Sequence, residues 1–166
     1  HKSAIRREDL FVTTKLVPDV KDYQSAVDSI EQSLKTMQLE YFDLVLIHSA
    51  MPDTAPGDNP RTWDKGNREV WRALEDAVDA GKIRSIGISN FSIEDIDNIL
   101  SECRIKPAVN QVMAHIGQMP WDMIAYDNAH GILTQAYSPI AHGGLMRNEI
   151  VKQIAESYGV DIAQIS

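Results

Sequence analysis

Apolar positions along the chain switch repeatedly between two periods. Leu10-Phe11-Val12-Thr13-Thr14 has the β-branched and aromatic content of a strand, and a polar turn around Pro18 and Asp19 follows it. From Asp22 to about Gln38 the spacing changes, with Ala26, Ile30, Leu34 and Met37 recurring every three or four residues to lay one apolar stripe along a helix. Leu44 to Ile47 then runs apolar without alternation, the pattern of a strand covered on both faces in a parallel sheet.

The exchange of periods continues to the end of the chain. A helix around Val70 to Ala80 leads through Gly81 into a strand at Ile83 to Ile88. Ile93 to Leu100 reads as a short helix, Pro107 to Gln111 as a short strand, and Trp121 to Ala129 as a helix stopped by Gly131. Ile132 to Tyr137 is a fifth strand, and a helix from about Asn148 to Ser157 follows it. Strands alternating with helices through short connections indicate parallel βαβ units within one domain, and argue against a sandwich or a bundle. One connection is long, Ser49 to Gly66, where Pro52, Pro56 and Pro60 interrupt regular structure, and loops of that length are usually functional.

Both ends read as cut. Ser3 to Leu10 resembles the tail of a helix and a connector, and Gly159-Val160-Asp161 offers a helix stop followed by a fresh N-cap just before Ser166.

Composition narrows the function classes. With 43% hydrophobic and 24% charged residues, the 166-residue chain has the make-up of an ordinary globular domain, and no apolar run approaches the roughly 20 residues that cross a bilayer. A net charge of -8 without any Lys/Arg cluster opposes nucleic acid as a partner. Cys103 is the only cysteine, which excludes an internal disulfide and a thiolate metal cluster and fits a reduced thiol in the cytoplasm. No metal site, membrane partner or nucleic-acid partner is expected.

In a parallel barrel the carboxyl ends of the strands converge on one face and build the site. Here Lys15 ends the first strand, His48 the second, Ser89-Asn90 the third, Asn110-Gln111 the fourth and Tyr137-Ser138 the fifth. Singly, each has an ordinary reading as a solvated lysine, a satisfied structural histidine or turn chemistry. Five in phase carry more weight, because the topology brings strand ends together.

At these residues the chain resembles the aldo-keto reductase family. The resemblance lies in Phe11-Val12-Thr13-Thr14-Lys15, Asp43-Leu44-Val45-Leu46-Ile47-His48, Gly81 to Phe91, Pro107-Ala108-Val109-Asn110-Gln111 and Ala136-Tyr137-Ser138-Pro139, in order and spacing. It implies an α/β fold, a (β/α)8 TIM barrel, of which about five βα units are present and the first two strands and the last are missing. The implied activity is NAD(P)H-dependent reduction of an aldehyde or ketone to an alcohol, with NADP(H) as cofactor and NAD(H) also compatible. A small-molecule carbonyl is the implied substrate, and a monomer or weak homo-oligomer the expected assembly.

The family's catalytic set is a Tyr that donates the proton, helped by a Lys, a His and an Asp. A phenol titrating near about 10 is a poor acid at neutral pH unless a neighbouring ammonium lowers its pKa, and a His N–H can stabilise charge developing on a carbonyl oxygen. The resemblance makes Lys15 that ammonium and His48 that donor. It assigns Ser89, Asn90 and Gln111 to the nicotinamide carboxamide, Tyr137 to stacking on the ring, and Ser138 with Ile140 to the pyrophosphate. These residue types suit the groups they would meet.

Two departures qualify the resemblance. The family's Asp and Tyr belong to a unit before Phe11, and Tyr23, Tyr41, Tyr126 and Tyr158 do not take their place, so the 166-residue chain alone is expected to be inactive. Ser49 follows His48 where many members have a Trp, which leaves Ser49, Met51 and Trp63 as the candidate substrate pocket. A non-catalytic cofactor-binding or regulatory relative stays open, as does another barrel enzyme acting on phosphorylated or sugar substrates, although Gly81 to Phe91 disfavours the latter.

Overall fold

The computed structural model describes residues 5–166, whose strands and helices alternate up to two final helices. They are β1 (Thr13–Leu16), α1 (Tyr23–Met37), β2 (Phe42–Ile47), α2 (Asp64–Asp79), β3 (Ile83–Ser89), α3 (Ile93–Leu100), β4 (Val109–Met113), α4 (Trp121–His130), β5 (Leu133–Tyr137), α5 (Glu149–Tyr158) and α6 (Ile162–Ile165). Strand order follows chain order, and β1, β2 and β3 pair in parallel, as the alternation of periods requires. The chain divides into two compact units, one ending at Asn110 and the other beginning at Gln111.

In the first unit β2 is buried along its whole length, in keeping with its unalternating sequence. Leu44 and Leu46 cluster with Val109 on one face of the sheet. Alternation sends Val45, Ile47, Ile86 and Ile88 to the other face, the side on which α1 and α2 pack, and α3 packs in turn on α2. The stripe of α1 is buried at Ala26, Ile30 and Leu34, while Met37, assigned to the same stripe, is 49% exposed in the last turn. Asp22 caps α1 by accepting from the Ser25 N–H, and Ser92 and Asp95 form a reciprocal capping box on α3.

Gly87 marks a close approach between strands. A Cβ there would lie 2.4 Å from the Val109 carbonyl oxygen and 2.7 Å from Leu46 Cδ2, so only glycine fits beneath β4.

Several boundaries differ from the sequence expectation. The first strand begins at Thr13 and not Leu10, because Leu10 and Phe11 are exposed beside a 3-10 turn at Arg7–Asp9. Residues 3 and 4 of the expected helix tail lie outside the described residues. The long connection is shorter than expected, since a 3-10 turn at Pro60–Trp63 runs directly into α2 at Asp64, a full turn and more before Val70. Pro60 starts that turn, where its missing N–H costs nothing.

In the second unit α4 ends at the left-handed Gly131, and Asn148 and Gly159 bound α5. Asp161 and Gln164 form a capping box on the four-residue α6, the fresh helix start read from the sequence. Among the described residues no helix is long and apolar enough to cross a membrane.

Candidate functional site

The strand register fixes how the first unit's candidates are arranged. Lys15 lies opposite Leu46, and Leu46 opposite Gly87. Side chains alternate along a strand, so His48, two residues after Leu46, and Ser89, two after Gly87, continue the same face. Lys15 stands one residue before the end of β1, not at its end as expected; the strand closes on buried Leu16. His48 follows β2 directly and is exposed, while Ser89 ends β3 and is 1% exposed.

The turn after β3 is tied to the turn after β2. Asn90 is left-handed, with φ 55°, and its Nδ2 donates to the His48 carbonyl at 3.0 Å and to Ser89 Oγ at 3.1 Å. The His48 N–H donates to the Leu16 carbonyl at 3.2 Å. The imidazole therefore projects from backbone held by both neighbouring strands.

A cleft of about 530 Å³ opens beside this turn, lined among others by Ser49, Met51, Arg61, Asn90 and Asp95. Of the three candidate pocket residues the structure brings Ser49 and Met51 to the cleft, linked by a bond from the Met51 N–H to Ser49 Oγ at 3.3 Å. Trp63 does not line it; it ends the 3-10 turn with its indole Nε1 buried and, among the described residues, without a hydrogen-bond partner. Arg61 and Asp95 were not legible as pocket residues. Arg61 pairs with Asp95 and reaches Asp64 at 3.3 Å, a bond that exists because the 3-10 turn and the start of α3 meet.

In the second unit Gln111 lies within β4, not at its end as expected, and its Nε2 donates to Gln135 Oε1 on β5 at 2.6 Å. Asn110 is likewise inside the strand, which continues to Met113. Tyr137 ends β5 and is half-buried. Ser138 turns left-handed at φ 52° and its Oγ lies 3.1 Å from His142 Nε2, a neighbour the sequence reading missed. Ile140, 37% exposed, leads into two 3-10 turns, Ala141–Gly143 and Leu145–Arg147.

Of the other four tyrosines, three make contacts away from these strand ends and one is exposed. Tyr23 donates to Asp76 on α2 at 2.9 Å, Tyr41 lies under the guanidinium groups of both Arg7 and Arg84, Tyr126 stacks on His130, and Tyr158 is 73% exposed on α5.

The aldo/keto reductase family model matches residues 2–166. The chain belongs to this family. Its five strands are accordingly part of a (β/α)8 barrel. It is 37% identical over 164 residues to the glyoxal reductase of Bacillus subtilis, covering 99% of this chain and 55% of that protein. The crystal structure of an aldo/keto reductase from Brucella melitensis superposes with a TM-score of 0.86 at 33% identity, over 98% of this chain and 58% of that one. A Bombyx mori aldo-keto reductase solved in complex with NADP gives 0.81 at 31% identity, over 97% and 55% of the two chains. The chain spans about half the length of the relatives it matches.

Lys15, His48 and Ser89 all lie toward the carboxyl ends of their strands, the end at which parallel barrels build their sites. The amino ends of the same strands carry a different network. There Asp43 on β2 accepts from the Val12 N–H and from Arg7, and pairs with Arg84 on β3.

Proposed function

We propose that the protein carrying this chain is an NAD(P)H-dependent reductase of small aldehydes or ketones, with Lys15 and His48 as catalytic residues. The observation that carries the reading is the shared face of Lys15, His48 and Ser89 at the carboxyl ends of three adjacent parallel strands. Family membership supports it, as does the 37% identity to a glyoxal reductase, which favours compact carbonyl substrates.

The donor set suits a nicotinamide cofactor. In the first unit a buried hydroxyl, Ser89, adjoins a primary amide, Asn90; in the second are a further primary amide, Gln111, and a half-buried aromatic ring, Tyr137. Hydroxyl and amide groups can give and accept the hydrogen bonds of a carboxamide, and an aromatic face suits a flat ring. Ser138 and Ile140 are assigned to the pyrophosphate. When bound, the reduced nicotinamide supplies a hydride for the carbonyl carbon. NADP(H) is the preferred form in this reading, and NAD(H) remains compatible.

The chain's own part is electrostatic. The His48 ring can donate an N–H to the carbonyl oxygen, where negative charge grows as the carbon is reduced. Lys15 supplies a positive charge that makes a nearby phenol a better acid. The phenol and the carboxylate of the family's set have no counterpart within residues 5–166, so the activity belongs to a chain that also holds them. Ser49 and Met51 border the substrate cleft, with Arg61 as an addition.

The half-buried Cys103, whose thiol pKa is raised by burial and by nearby Glu75, fits a reducing cytoplasmic setting. A monomer or weak homo-oligomer is the proposed assembly. Following NADPH oxidation at 340 nm with glyoxal or methylglyoxal tests the function. Turnover that requires His48 is expected, and NADPH binding without turnover of any aldehyde or ketone would favour a cofactor-binding relative instead.

A further inference from the structure

Residues 48–50 belong to no strand or helix, yet each of their three carbonyls accepts a hydrogen bond from a side chain on a different segment. Asn90 Nδ2 donates to His48 O at 3.0 Å, Lys21 Nζ to Ser49 O at 2.8 Å, and Asn67 Nδ2 to Ala50 O at 2.9 Å. The donors come from the turn after β3, the approach to α1 and the first turns of α2. Asn90 has a proposed cofactor role; Lys21 and Asn67 have none.

Both of these residues are committed to the task. Asn67 is 1% exposed; among the described residues its Oδ1 has no hydrogen-bond partner, and its Nδ2 donates to Ala50 O. Leaving one buried polar atom unmet in order to hold a carbonyl is an arrangement that costs stability. Lys21 is gripped at both ends. A Cβ on Gly66 would lie 2.5 Å from the Lys21 carbonyl oxygen, so the start of α2 packs directly on the Lys21 backbone, while the amine reaches Ser49. Burial of that amine lowers its pKa to about 8, with Asp19 and Asp95 partly opposing the shift. A solvated lysine would avoid that cost.

We propose that Lys21 and Asn67 are positioning residues for His48, fixing the direction of its imidazole by clamping the two carbonyls that follow it. The proposal rests on the proposed catalytic role of His48. The Asn90 and Leu16 bonds hold the His48 backbone itself, but the chain leaves β2 there and would pivot without anchors further on. Lys21 and Asn67 supply them from the helical layer, so that the exposed ring keeps one orientation. Misdirecting a catalytic donor by an ångström is enough to slow a reaction by orders of magnitude.

The test is the His48 ring resonance, followed by NMR titration of histidine-labelled full-length protein and assigned with His48→Gln, alongside steady-state reduction of methylglyoxal. In Lys21→Met the His48 resonance is expected to shift or broaden and its titration midpoint to move. kcat should fall about tenfold or more, with NADPH affinity within a few fold. Lys21→Arg, which keeps a cationic donor, should recover part of both. Asn67→Ser breaks a different bond of the clamp and should produce the same His48 signature if Lys21→Met does not fold. An unmoved His48 resonance in the folded variants, with only a lower melting temperature, would overturn the proposal. If the wild-type protein reduces no carbonyl, the proposed function fails, while the His48 resonance still decides whether the clamp orients the ring.

Discussion

Arg7 reaches across to Asp43, Nη2 to Oδ2 at 2.7 Å, and so ties the segment before β1 to the amino end of β2. Arg84 approaches the same carboxylate at 3.1 Å from β3, and both guanidinium groups lie 4.0 Å from the Tyr41 ring centre. With the Val12 N–H also donating at 2.9 Å, one carboxylate joins three strands at their amino ends.

Asp43→Ala is expected to destabilise the protein by about 3 kcal/mol, because it strands charge that is partly buried. Burial alone would raise the Asp43 pKa; the Val12 N–H, Arg7 and Arg84 outweigh it and leave the group below its ordinary value. A depressed carboxylate contributes stability at neutral pH that is lost as pH falls through the folded pKa, below about pH 4. Urea denaturation at several pH values checks this. Asp43→Asn should flatten the acid limb, and an acid limb as steep as wild type would refute the assignment.

Gly87→Ala is expected to cost about 1–3 kcal/mol through overpacking, since the added methyl meets the Val109 backbone, which cannot swing aside as a side chain can. The strand beneath would be pushed away from β3 near Ser89. A melting temperature equal to wild type would show that the sheet relaxes there at no cost.

These two sites show what was legible beforehand. The unalternating run at Leu44 to Ile47 predicted a strand buried on both faces, and the stripe Ala26, Ile30 and Leu34 predicted the face that α1 buries, because burial writes its period into the sequence. Lys15, His48 and Ser89 were legible as strand-end residues for the same reason. Ser89 and His48 stand where expected, while Lys15 lies one residue inside β1 and other strand bounds were not legible. β1 starts at Thr13 where Leu10 and Phe11, although apolar, are exposed, and β4 runs on past Gln111. Arg61, Lys21 and Asn67 escaped notice because they act through contacts made across the fold, and nothing local distinguishes them from solvated residues.

Lys21 also gives the protein a signature in alkali. Burial lowers its amine from 10.5 to about 8, with Asp19 and Asp95 raising it slightly. The unfolded chain holds that proton up to its ordinary value, so between about pH 8 and 10 the unfolded state binds more protons and stability rises with pH through this group. Below that window both states are charged and the penalty is constant. Lys21→Met lacks the effect. The wild-type urea midpoint should therefore gain on that of Lys21→Met as pH is raised from 7 to roughly 9.5, and a constant difference would mean the amine is solvated.

The catalytic assignment makes the sharpest demand. Lys15→Met removes the positive charge and His48→Ala the donor, and both groups act on charge that develops as the proton moves, not on the bound ground state. Loss therefore belongs in kcat more than in cofactor affinity. In the full-length protein each variant should slow carbonyl reduction by about 100-fold or more, the scale of removing one preorganised donor. The NADPH dissociation constant, read by fluorescence quenching, should stay within a few fold. Because the two residues serve one step, the double variant should lose little beyond the worse single one. Turnover unchanged in either single variant would remove that residue from the mechanism, and strictly multiplicative losses would mean that Lys15 and His48 act on separate steps.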